Sequence, residues 1–174
     1  MYARRSLTAS SNIVIQVHGG SSGIGTFAIQ IAKHLGIRVF VTAEGDIKTT
    51  GKLSSPGVDV ILDNVGASYL QRNLDSLNVD GRLFIIGLQG GRVTEVNLSC
   101  LLARRLTIQA AGLRNRTPEN KAIIVSEVEK HVWPAIAAGK VKPVIHKAFP
   151  LSEVVEAHRL MESSAHIGKI LLIP

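Results

Sequence analysis

The residues best equipped for chemistry stand together near the start of the chain, as Val17-His18-Gly19-Gly20-Ser21-Ser22-Gly23-Ile24-Gly25. They follow a β-branched run, Ile13–Val17, that reads as a buried strand. They open a stretch with Ile24, Phe27, Ala28, Ile31, Ala32 and Leu35 at helical spacing, closed by Gly36. Glycine permits a tight turn and lets a ligand approach without a Cβ in its way. The free amides and positive dipole end of a helix N-terminus suit a pyrophosphate. The spacing is G-G-S-S-G-I-G, so the generic G-x-G-x-x-G fingerprint is met only in part. The same residues also serve a sharp strand-to-helix turn with no ligand.

Other reactive residues are sparse. A single cysteine, Cys100, excludes an internal disulfide framework and any zinc site of several thiolates, and fits a reducing compartment. It lies in a Leu-rich helical stretch and reads as buried and inert. Glu127 and His131 are four apart on a helix, which makes a surface pair, since two ligands do not make a metal site. The net charge of +7 and the basic residues Arg104, Arg105, Arg114 and Arg116 raise a polyanion reading. One Trp, two Tyr and four Phe give little stacking surface, so nucleic acid is not expected as a partner.

The elements that must position these residues follow a regular rhythm. At 174 residues and 45% hydrophobic, the chain can bury a core. No apolar run approaches the roughly 18 residues of a membrane span, so no membrane partner is expected. After the glycine turn and its helix, Ile37–Ala43 reads as a second strand, giving a βαβ unit with a parallel pair. Residues 44–57 read as loop. Val58–Asp63 is a strand, Ala67–Leu77 a helix, and Gly81–Gly87 a strand. Asn97–Arg105 is a short helix capped by Asn97, and Leu106–Ala110 a fifth strand. Thr117-Pro118-Glu119 starts a long helix striped by Val125, Val128, Val132 and Ile136, with Pro134 bending its end. Val141–Phe149, Ser152–Met161 and Ile167–Ile173 supply a final strand, helix and strand. The class is α/β, a Rossmann-like doubly wound parallel sheet with a shortened second half of its first mononucleotide unit.

Two dehydrogenase families share such a glycine turn. The short-chain family also needs Tyr-x-x-x-Lys, and Tyr2 and Tyr69 are followed four positions on by Ser6 and Asn73. From about Ile13 to Pro174 the chain instead resembles the quinone oxidoreductase branch of the medium-chain dehydrogenase/reductases. The stretches that carry the resemblance are VHGGSSGIGTFAIQIAKHLG, VDVILDNVGASYLQRNLDSL, DGRLFIIGLQGG, LTIQAAGLRNR and FPLSEVVEAHRLMESSAHIGKILLIP. The resemblance implies a zinc-independent enzyme that reduces a quinone or activated alkene (enone) with NADPH. It implies that Ser22, Gly23, Ile24 and Gly25 hold the pyrophosphate, that Lys48 meets the 2′-phosphate, and that Val65 lies near the riboses. It further implies that Gly87, Leu88 and Gln89, with Gly112, Leu113 and Arg114, line the nicotinamide end. No catalytic residue and no metal ligand is carried over. A cytoplasmic location and a homodimer are further expectations.

Three departures qualify the resemblance. The family's N-terminal catalytic domain, which supplies most of the substrate pocket, is not matched, so a truncated form with little activity of its own is expected. A cofactor-binding or interaction module without turnover is the alternative. Where family members carry Gly, this chain has Glu44, an acid that favours a free ribose 2′-OH and so admits NADH. The segment between the second and third strands is also short. Fourteen residues, 44–57, reach at most about 46–50 Å, against about 23 Å for the return and about 10 Å for the sidestep. The connection closes, but the second strand is left as an edge. The expected division is 1–12 as a ragged start, 13–140 as the dinucleotide-binding domain, and 141–174 as a segment returning toward the catalytic domain.

Overall fold

The structure, a computed structural model, describes residues 13–42 and 57–174. Five parallel strands form the main sheet: β1 (Val14–His18), β2 (Arg38–Thr42), β3 (Val58–Asp63), β4 (Leu77–Ile85) and β5 (Thr107–Ala110), in the order β2-β1-β3-β4-β5. The doubly wound parallel architecture expected from the sequence is therefore present. Helix α1 (Gly23–His34) joins β1 to β2, and α2 (Leu70–Ser76) joins β3 to β4 behind a short 3₁₀ turn, Ala67–Tyr69. Helix α3 (Ser99–Arg104) precedes β5. The chain leaves β1 toward one side of the sheet and returns on the other to form β3. The carboxyl ends of β1 and β3 thus flank a topological switch point, where open α/β sheets bind ligands.

The core lies on the sheet face that carries Gln16, Ile61 and Leu83 in register. Val14, Val58, Ile61, Leu74, Leu77 and Leu83 form its buried cluster, with Leu70, Cys100 and Leu101 packed against it from α2 and α3. Full burial of a Leu or Ile side chain is worth roughly 1.5–3 kcal/mol before entropy is counted. Asp59 secures the amino ends of the strands, accepting from Val14 N at 2.8 Å and from Asn78 Nδ2 at 2.8 Å.

Beyond β5 come α4 (Pro118–His131), α5 (Trp133–Ala137), β6 (Ile145–Pro150), α6 (Val154–Glu162) and β7 (Lys169–Ile173). β6 and β7 pair with each other in a separate two-stranded parallel sheet. This small sheet folds back on the first: Gly168 N donates to Ser21 O at 2.7 Å.

Several boundaries differ from the sequence reading. β4 starts at Leu77 rather than Gly81, because residues 78–81 bulge out of register, with Asp80 at φ 63°. Pro134 does not bend one helix; α4 stops at His131 and Pro134 sits in the first turn of α5. The Val125–Val128 stripe is exposed, at 61% and 43%. Asn97 lies just ahead of α3, its amide oxygen accepting from Ser99 N at 3.0 Å. Cys100 is half-buried rather than sealed, its thiol donating to Asn97 O at 3.0 Å. Among the described residues β2 pairs only with β1, as the edge expectation required, and Phe40 and Val41 are each 45% exposed.

Candidate functional site

Ser22 is the N-cap of α1, in extended backbone geometry, and its Oγ accepts from Gly25 N at 2.9 Å. A serine hydroxyl has one proton to give and two lone pairs, so this cap leaves Ser22 able to donate outward. The Gly23 and Ile24 amides belong to the first turn, where no preceding carbonyl lies a turn behind to accept from them. Gly25 is buried because the helix starts directly on the turn. A Cβ there would meet the Gly19 carbonyl oxygen and stand 2.8 Å from Gly20 Cα. No side chain fits, so the backbone approach depends on glycine.

At Gly23 the obstacle is different. A Cβ would run into the side chain of Lys169, 2.8 Å from its Nζ. Lys169 opens β7, and its side chain lies beside Gly23 at the first turn of α1. The residue before it, Gly168, is tied to Ser21 O, and this bond sets where the lysine emerges. A helix N-terminus and a cation on one patch of backbone favour an anion.

The other wall of the crevice comes from the turn after β3. Asp63 is fully buried and its carboxylate accepts from Val65 N at 2.7 Å and from Gly66 N at 3.1 Å. That fixes Asn64 and Val65 beyond the strand end. The Asn64 carboxamide lies against Gly19, which joins the two walls. Gln89 N donates to Asn64 O at 3.2 Å, and Gly90 N donates to Val65 O. Val65, Gly87, Leu88 and Gln89 are therefore brought together at one lip, with Leu88 about half exposed at 48%.

Gly112, Leu113 and Arg114 lie past β5 at the same end of the sheet, entered through Ala111 N bonding to Ile85 O at 2.9 Å. They are exposed, and the Arg114 carbonyl accepts from Lys121 Nζ at 3.0 Å. Lys48 and Glu44 lie outside the described residues. Under the crevice sits a polar group that the sequence reading missed, formed by buried His18 and Asn73 with half-buried Thr42. His18 Nδ1 is 2.7 Å from Thr42 Oγ1 and Nε2 is 2.7 Å from Asn73 Oδ1. Burial pushes the His18 pKa below its ordinary value of 6.5, against the raising effect of the Asn73 bond and the Asp63 charge. Lys169 was missed as well. Its only signal is the Gly-Lys step in HIGKILLIP, far in sequence from the turn it reaches.

Residues 35–172 match the family model described as zinc-binding dehydrogenase. The chain belongs to the zinc-binding dehydrogenase family. It is 28% identical to the quinone oxidoreductase of Rattus norvegicus over 189 residues, covering 91% of this chain and 54% of the relative. It is also 28% identical over 185 residues to a 2-haloacrylate reductase of Burkholderia, covering 92% and 55%. The quinone oxidoreductase of Thermus thermophilus, solved also with NADPH, matches with a TM-score of 0.78 at 22% identity, covering 97% of this chain and 63% of that one. These relatives agree with the resemblance to quinone oxidoreductases seen in the sequence. This zinc-binding dehydrogenase chain spans about half the length of the curated relatives it matches. Membership of the family does not assign it a metal: among the described residues no group of three or more His, Cys, Asp or Glu could hold one. No helix among them is long and apolar enough to cross a membrane.

Proposed function

We propose that the chain is the cofactor-holding part of an NADPH-dependent, zinc-independent, cytoplasmic quinone reductase-like oxidoreductase, acting on a quinone or activated alkene. The observation that carries this reading is the patch where Gly25 leaves no room for a Cβ and the Lys169 side chain lies beside Gly23 at the first turn of α1. Its chemistry suits a pyrophosphate: amide donors, a serine hydroxyl, a dipole end and an ammonium group converge on one small area. Ser22, Gly23, Ile24 and Gly25 hold the pyrophosphate with Lys169. Val65 and Gly87-Leu88-Gln89 border the riboses and nicotinamide, and Gly112-Leu113-Arg114 close the far side. Lys48 favours the 2′-phosphate, while Glu44 leaves NADH a second choice. The bound cofactor supplies a hydride from C4 of its nicotinamide. The protein's own residues orient it, and no side chain here is assigned the proton donated to the acceptor.

Fluorescence titration of NADPH tests the reading. Lys169→Ala removes a charge-assisted contact worth roughly 1.5–3 kcal/mol, so affinity falls about ten- to a hundred-fold. Lys169→Arg keeps the charge and retains most of the affinity. Wild-type affinity in Lys169→Ala would refute the assignment. A second reading is a nucleotide-binding module without turnover. Hydride transfer needs donor and acceptor held at about 3–3.5 Å, a positioning worth up to roughly 7–11 kcal/mol. NADPH binding without quinone-dependent oxidation would select that module.

A further inference from the structure

Gln30 stands in the third turn of α1, half-buried, on the helix face that begins at Gly23, two turns earlier. Its Oε1 accepts from Lys142 N at 2.9 Å, and its Nε2 donates to Lys142 O at 2.8 Å. Nε2 also donates to Thr26 O at 3.0 Å, one turn back. A backbone N–H only donates and a carbonyl only accepts, so the orientation of the amide is fixed and both its donors are satisfied. The two bonds to Lys142 are those that a paired residue of an antiparallel strand would make. Here a side chain makes them, across 112 positions of sequence.

Lys142 lies two residues before Val144, whose carbonyl accepts from Lys169 N at 2.7 Å. Gly168, at φ 89°, passes so close to that carbonyl that a Cβ would collide with it. Val144 leads directly into β6, and the first residue of β6, Ile145, is in register with Lys169. On its other side Gly168 N donates to Ser21 O at 2.7 Å. The backbone of Lys169 is thus located against α1 along two routes. One runs through Gly168 to the residue before the Ser22 cap, and the other through Val144 and Lys142 to Gln30. A single hydrogen bond is a pivot. A second attachment, about 10 Å along the helix from Gly23 at roughly 1.5 Å per residue, stops the small sheet from turning about it. Such a turn would carry the Lys169 side chain off Gly23.

Resting on the pyrophosphate reading above, we propose that Gln30 is a positioning residue for that site: by holding the Lys142 backbone on α1 it fixes the β6–β7 unit, and so keeps the Lys169 side chain beside Gly23. Gln30 acts through the lysine rather than on the cofactor. When the lysine is in place for only a fraction of the time, the apparent affinity falls by that fraction. The largest loss that a change at Gln30 can cause by this route is therefore the loss caused by removing the lysine side chain.

The test measures NADPH dissociation constants and thermal unfolding on the full chain, for Gln30→Met, Lys169→Ala and the double variant. Methionine keeps the length and apolar stem of glutamine and loses both bonds to Lys142. Gln30→Met should weaken NADPH roughly two- to twelve-fold, the equivalent of one neutral hydrogen bond, and lower the unfolding temperature. In the Lys169→Ala background the same change should again lower the unfolding temperature, yet leave affinity where Lys169→Ala alone puts it. A merely structural role would not remove the second loss of affinity. Gln30→Glu still accepts from Lys142 N but cannot donate to Lys142 O, and it takes the place of Gln30→Met in the cycle if methionine prevents folding. Wild-type affinity in the folded Gln30 variant, or a loss that multiplies with that of Lys169→Ala, overturns the proposal while the pyrophosphate reading stands on Lys169→Ala. Wild-type affinity in Lys169→Ala overturns both.

Discussion

Asp63, Asn73 and His18 are buried; His18 bonds from β1 to Thr42 of β2 and to Asn73 of α2, and Asp63 bonds the amides of its own turn. Along α4, none of the fourteen residues is buried. Both regions contain histidines, carboxylates and β-branched residues, so composition does not separate them. Position relative to the sheet does. β1 and β3 are flanked by strands on both sides, and their carboxyl ends lie under the turns that α1 and α2 leave. Helix α4 meets chiefly α5 and keeps Ile123 and Val125 each 61% exposed. Interactions at the strand ends act in a low-dielectric setting where bonds and missing bonds both weigh heavily. Those on α4 are moderated by water.

Truncating an apolar residue on each side gives the largest contrast. Leu74→Ala empties space in a fully buried cluster and should cost about 2–5 kcal/mol. Val125→Ala on α4 should change stability by no more than about 0.5 kcal/mol. Urea unfolding of the two variants measures both. Similar losses would mean that α4 is packed in solution in a way its exposure here does not reveal.

Cofactor selectivity sharpens the contrast at the crevice. Lys48→Ala should weaken NADPH about ten- to a hundred-fold and leave NADH nearly unchanged, since only NADPH offers a 2′-phosphate to a charge-assisted contact. Glu44→Gly should shift preference further toward NADPH. If the NADPH:NADH ratio stays fixed in both variants, the segment after β2 does not read the ribose.

How far the sequence could lead depended on the range of the interactions. The strands around Ile13, Val58 and Leu83 were legible because β-branched runs end in glycine or asparagine turns. The Thr117 cap was legible because it bonds three residues ahead. The early start of β4 was hidden by its polar bulge, Asn78-Val79-Asp80-Gly81, which reads as a turn. At the site, the glycine turn was apparent from its local chemistry. His18–Asn73 spans 55 positions, and Lys169 reaches Gly23 only because β7 folds back onto the turn. Neither juxtaposition leaves a periodic or spacing signal. The β6–β7 unit was readable as strand, helix and strand, but its docking through Gly168 and Ser21 was not.

Protonation separates the regions more finely. Burial holds the His18 pKa below 6.5, so the unfolded chain binds this proton more readily than the folded one. Stability from a neutral His18 is therefore complete above about pH 6.5 and falls as pH drops from there through the lower folded-state pKa. The slope is at most about 1.4 kcal/mol per pH unit for one proton. Urea unfolding of wild type and His18→Gln between about pH 7.5 and about pH 5 tests this window. The wild type should lose stability more steeply below 6.5, and parallel curves would show that His18 is not the group responsible.

The smallest effect is expected where the same residue type faces solvent. His131 on α4 stands 3.6 Å from Glu127, one turn away, with side chains 61% and 57% exposed. Holding two mobile side chains together costs entropy, and water screens what they gain, so exposed i,i+4 pairs contribute about 0.3–0.5 kcal/mol. Glu127→Gln should lower stability by that amount or less at low salt and have no measurable effect near 1 M salt, where the Debye length is about 3 Å. His18→Gln should keep most of its effect at the same salt concentration, because the imidazole it replaces is buried rather than screened by ions. Denaturant melts of both variants at the two salt concentrations give four numbers. If Glu127→Gln proves as costly as His18→Gln and as insensitive to salt, α4 is buried against something in solution, and the contrast between the two regions fails.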